Sequence, residues 1–214
     1  MNVTKDKVSS IFFKYSIPSV LGMLAISSAS IVDGYFIGNY VGDLGLAAIN
    51  ISLPIFSLLF GLSLMLAIGG SVTSGKLIGE KDIKNASLIF TKTVICIIGF
   101  SFITCFLLFI NIETILYLLG STDDLIKISM EYMSILLIFL PFLMIGIVLD
   151  YFVRVDNRPN LAFIALLSSA VVHVLLDWIL IVHLEKGIFG AALATGISEL
   201  VLIITQLSHI NSIK

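Results

Sequence analysis

The sequence predicts an all-α polytopic membrane protein with six transmembrane helices. Three observations carry that reading. Apolar residues make up 58% of the 214 and charged residues only 12%, against roughly 45–50% and about 25% in a soluble domain. Six apolar stretches follow one another, each near the length of about 20 residues that spans a bilayer as a helix. None alternates as a barrel strand of about 10 residues would. A net charge of −2 leaves no basic surface for nucleic acid.

The stretches run roughly Ile11–Ile37, Leu46–Ser71, Ile89–Ile110, Ile126–Leu149, Leu161–Val182 and Ile188–Leu207. The first follows a polar start, MNVTKDKVSS, and is too long for a secretory signal core, so it reads as a retained span. Residues 1–214 read as a single transmembrane unit. Small residues crowd the second and sixth stretches, for example Gly61, Gly69 and Gly70, then Gly190, Ala191 and Gly196. They permit close helix packing in lipid. Cys96 and Cys105 lie nine residues apart in one stretch, too far along a helix to pair.

Cations set the expected orientation. Lys5, Lys7, Lys14, Lys76, Lys81, Lys84, Lys92, Arg154, Arg158 and Lys214 fall on one side, which is ten of twelve Lys and Arg. Lys127 and Lys186 fall on the other, beside Asp43, Glu113, Asp123, Asp124 and Glu185. The positive-inside rule puts both termini in the cytoplasm, and an even number of spans requires the same. The expected location is the cytoplasmic (inner) membrane.

Ionisable groups at membrane depth are costly, so they are the first functional candidates. Asp33 lies in the first stretch and Asp177 deep in the fifth, each flanked by apolar residues. Each reads either as part of a cavity or as a structural carboxylate bonded to a neighbouring helix. His173 precedes Asp177 by four residues, so the two share a helix face. Glu199 lies midway along the sixth stretch and, with Asn50, is a candidate cavity residue. Asp150 reads as an interfacial residue at the cytoplasmic end of the fourth. GSVTSGK at 70–76 spaces its residues like a phosphate loop, but Leu77 follows where Ser or Thr is needed, and a helix precedes it rather than a strand. No HExxH, GxSxG or CxxC is present, so hydrolase and zinc chemistry has no support, and no enzyme or cofactor is expected.

The motifs SIPSVLGML, VDGYFIGNYVGDLGLAAINISLPI, YFVRVDNRPNLA, LLDWILI and GIFGAALATGIS lie in an order and spacing that resemble the multidrug and toxic compound extrusion (MATE) family, from about Ser16 to Ser198. The resemblance is to the N-terminal six-helix lobe, one of two in that family. It implies an antiporter that exchanges H⁺ or Na⁺ for drug-like organic cations or other amphiphiles. The coupling carboxylates would fall on Asp33 and Asp177, a sixth-helix hydroxyl on Thr195, and a helix-bending proline on Pro18. A fifth-helix amide falls on His173, a departure that favours H⁺, because a protonated imidazole repels Na⁺. Expected partners are the bilayer, an amphiphilic substrate, and a second six-helix lobe or a second copy of the chain. A lipid-linked saccharide flippase would need Lys or Arg in its cavity to hold phosphate, and none lies at mid-membrane depth. A truncated, non-transporting membrane fragment is the other alternative.

Overall fold

The computed structural model describes residues 7–210, with side chains as far as Ser208. Lys5, Lys214 and the two chain ends, on which part of the charge argument rests, lie outside them. Six helices are long and apolar enough to cross a membrane. They are α1 (Val8–Tyr40), α2 (Asp43–Gly79), α3 (Ile83–Ile110), α5 (Asp123–Val155), α6 (Pro159–Asp177, continued by a π-helical segment Trp178–His183) and α7 (Gly187–Ile210). A short α4 (Ile112–Leu118) occupies the link between the third and fourth spans. Among the described residues there is no strand.

Local chemistry sets the boundaries. α1 closes on Gly42, whose φ of 90° a side chain would resist. Its N–H returns to the Ile37 carbonyl at 2.9 Å, the closing bond of a left-handed helix cap. Asp82 caps α3 by accepting from the Asn85 N–H at 3.1 Å. Pro159 sits in the first turn of α6, where its missing N–H costs nothing. The helices outrun the apolar stretches. α5 begins at Asp123 and continues to Val155, three residues before and six after the expected limits. Its last turns carry an Asp150–Arg154 pair at the i, i+4 spacing that supports a helix.

α5 is the centre of the bundle, packed against α2, α3 and α7. Met133, Leu137, Leu140, Met144 and Val148 form its buried stripe. α7 lies between α5 and α6, and α1 packs chiefly against α6. Leu166 of α6 seats on the bare backbone of Gly22 in α1. Lipid tails are as apolar as leucine, so contact geometry rather than water exclusion holds such helices together. α1, α6, α7 and α5 thus curve round a cavity that α2 completes.

Candidate functional site

Three helices bring the polar residues of the membrane interior together. Asp33 comes from α1, His173 and Asp177 from one face of α6, and Thr195 from α7. Ligand atoms of Asp33, His173 and Asp177 all lie within 4.8 Å of one another. His173 Nε2 is 3.5 Å from Asp177 Oδ2, an ion-pair distance if the ring is protonated but beyond a hydrogen bond. The same nitrogen is 3.3 Å from Thr195 Oγ1. The hydroxyl also donates to the Ala191 carbonyl of its own helix at 3.0 Å.

Asp177 is fully buried. Both of its carboxylate oxygens and Oδ1 of Asp33 are buried without a hydrogen-bond partner. Unpaired buried charge of this kind is strongly unfavourable, and native structures rarely leave such groups without a reason. Tyr132 of α5, also buried, packs in one cluster with Ile37 of α1 and Ile181 of the π-helical turn. Nothing in the sequence marked Tyr132, because a lone Tyr in an apolar stretch reads as packing. The π-helical turn Trp178–His183 begins at the residue after Asp177, and such turns occur often at functional sites.

A cavity of 530 Å³ adjoins the cluster. His173 and Thr195 stand on its wall, whereas Asp33 and Asp177 do not. Most of the wall is apolar, with Met23, Phe60, Leu143 and Leu202 among its members. Glu199 lines it, with Oε2 buried and unpartnered. Asp150 and Arg154 line it too. Arg154 grips Asp150 through two bonds, Nε to Oδ2 at 2.8 Å and Nη2 to Oδ1 at 3.1 Å. It also donates to Ser19 Oγ of α1. The sequence placed Asp150 at an interface and Arg154 in a connection; the structure puts both in the cavity wall, mostly buried.

Pro18 is buried in α1 beside this contact. Lys14 Nζ and Tyr15 Oη both donate to Asn157 Oδ1, at 2.9 and 2.8 Å. The stretch of α1 around Pro18 is therefore tied to the corner between α5 and α6. Asn50 stands apart. It is exposed on α2, donates to its own helix at the Leu46 carbonyl (2.8 Å), and does not line the cavity.

The MatE family model matches residues 18–179. The chain is 30% identical over 198 residues to the multidrug export protein MepA of Staphylococcus saprophyticus, covering 92% of this chain and 44% of that one. It therefore spans less than half the length of this curated relative. A crystal structure of a MATE in complex with MaD3S has the same fold, with a TM-score of 0.87 at 23% identity, covering 92% of this chain and 44% of that one. A MATE in the straight conformation gives 0.86 at 23% identity, with 92% and 43% covered. With three-quarters of its length inside the family model and its six helices in the family's fold, the chain belongs to the MatE family of multidrug and toxic compound extrusion proteins.

Proposed function

We propose that this chain forms the N-terminal six-helix half of a multidrug efflux transporter, coupling export of amphiphilic cations to proton entry at Asp33 and Asp177. The family and its export-protein relatives support efflux. One observation carries the coupling site: Asp33, His173 and Asp177 converge within 4.8 Å, with three carboxylate oxygens left unpartnered. Two carboxylates in a low-dielectric site resist being charged together, so they share a proton or another cation.

Loading the pair removes repulsion between α1 and α6 and lets α1 bend at Pro18, where the ring removes one backbone hydrogen bond. Bending narrows the cavity and releases substrate outward. Unloading towards the cytoplasm resets it. The second wall of the cleft comes from another six-helix lobe or a second copy of the chain. A flippase reading is weaker, because the one guanidinium on the cavity wall is already held by Asp150.

The test is ethidium efflux from proteoliposomes that hold the chain with its second lobe or a second copy. Asp33→Asn and Asp177→Asn should each reduce efflux driven by a pH gradient to background, with membrane insertion unchanged. Pro18→Ala should slow it. Export by both Asn variants at the unmutated rate would exclude the mechanism. Na⁺ is the second reading, because the three ligand-bearing groups also suit a cation. A Na⁺ gradient at constant pH that drives efflux as well as a pH gradient would favour it.

A further inference from the structure

We infer that Glu199 is the cation-recognising residue of the cavity, and that it meets the positive head of an amphiphilic substrate separately from the coupling carboxylates. The inference rests on the efflux reading above and assigns the substrate's charge to one side chain.

Of the four membrane-depth carboxylates near the cavity, only two face it. Asp33 and Asp177 are not on its wall; they lie behind His173 and Thr195. The carboxylates that do line it are Asp150 and Glu199. Asp150 is held by Arg154 through two bonds, so that pair presents little net charge. The remaining titratable side chains on the wall are His173, which approaches Thr195 at 3.3 Å and Asp177 at 3.5 Å, and the Tyr151 phenol.

Among the described residues Glu199 makes no ion pair, and its buried Oε2 has no hydrogen-bond partner. Its place on α7 follows from helical spacing. Thr195, Glu199 and Leu202 stand four and three residues apart, so they share one face, and all three line the cavity. Ser169 Oγ donates to the Ser198 carbonyl at 2.9 Å, and Ser198 Oγ donates to the Thr195 carbonyl at 2.7 Å. The first bond ties that stretch of α7 to α6; the second stays within α7. A carboxylate on a cavity wall that is mostly Met, Phe, Leu and other apolar side chains suits a ligand with one delocalised positive charge and apolar bulk. Such a cation loses little hydration on entering and gains an unscreened counter-charge.

The ligand's charge and the coupling charge therefore occupy different carboxylates. His173 and Thr195 form the partition between them, because both touch the cavity and the cluster.

The experiment is equilibrium binding, at fixed pH in lipid nanodiscs, to the chain together with the second lobe or second copy used for efflux. Its probes are tetraphenylphosphonium, a cation, and triphenylphosphine oxide, a neutral molecule of similar bulk. Glu199→Gln keeps shape and removes charge. It should weaken tetraphenylphosphonium binding roughly thirtyfold or more, the scale for losing one partner of a desolvated charge pair, and leave triphenylphosphine oxide unchanged. Glu199→Asp should retain most of the preference for the cation. Unaltered tetraphenylphosphonium affinity in Glu199→Gln would overturn the assignment. So would equal loss for both probes, or absence of tetraphenylphosphonium binding to the unmutated chain. Binding at equilibrium needs no gradient, so failure of the coupling mechanism shows only in the efflux assay and leaves this result readable.

Discussion

At the scale of single residues, cost in the membrane decided what could be read. Asp33, Asp177 and His173 stood out in the sequence because a charge at membrane depth is expensive, and the fold gathers them within 4.8 Å. Arg154 did not stand out, because a cation just past an apolar stretch reads first as a marker of orientation. Its partner was nevertheless visible four residues earlier. With side chains 19% and 13% exposed, the Arg154–Asp150 pair lies between surface pairs, worth about 0–1 kcal/mol, and buried pairs, where losing one partner costs about 3–5 kcal/mol. Arg154→Ala should therefore lower stability by about 1–3 kcal/mol. It removes both bonds to Asp150 and the bond to Ser19 of α1. Asp150→Ala leaves the guanidinium uncompensated and should cost a similar amount. The double variant should lose less than the two single losses combined, with a coupling energy of about 1–2 kcal/mol in thermal melting of purified protein. Strict additivity would mean that the two side chains do not stabilise each other.

At the scale of elements, the six spans were legible because each apolar stretch exceeds what a soluble helix needs. Their ends were less so. Helices continue into polar residues whose caps and i, i+4 pairs support them, as at Arg154. α4 was hidden in a connection that carries Asn111 and Glu113. The π-helical turn at Trp178–His183 was not foreseeable either, because WILIVH has no composition that separates it from an α-helix. The small residues of the sixth stretch read correctly as packing surface, and the structure shows how far that goes. Ala191, Ala192 and Ala194 are fully buried. A Cβ at Gly196 would overlap the Phe139 ring of α5. Gly196→Ala must push α5 and α7 apart or rotate the ring, an overpacking cost of about 1–3 kcal/mol. Because Gly196 follows Thr195, that shift also displaces the hydroxyl relative to His173 of α6. The variant should melt at lower temperature and transport more slowly. Phe139→Leu in the same chain should restore both, whereas rescue of stability without transport would separate packing from the placement of Thr195.

For the whole molecule, contacts within the fold show which charges share an end of the bundle. Lys14, Tyr15 and Ser19 near the start of α1 meet Arg154 and Asn157 where α5 gives way to α6, so these regions share one end of the bundle. At the other end, Ile37 of α1, Tyr132 of α5, Ile181 of the π-helical turn and Ile188 of α7 pack in one cluster. The first end carries Lys7, Lys14, Lys76, Lys81, Lys84, Arg154 and Arg158; Lys127 and Lys186 lie at the second. From such a bias the positive-inside rule predicts that the cation-rich end faces the cytoplasm, because Lys and Arg near short loops are retained there during insertion. With that orientation the Pro18 segment of α1 would lie towards the cytoplasm, and Asp33, fifteen residues further along the same helix, would lie towards the opposite face. Single cysteines introduced at Lys84 and at Asp123, in a chain with Cys96 and Cys105 replaced by Ser, should distinguish the two faces. A membrane-impermeant maleimide added to intact cells should label the cysteine at 123 and spare the one at 84; inverted vesicles should reverse the pattern. Labelling of both positions from one face would break the alternation of spans on which the proposed mechanism depends.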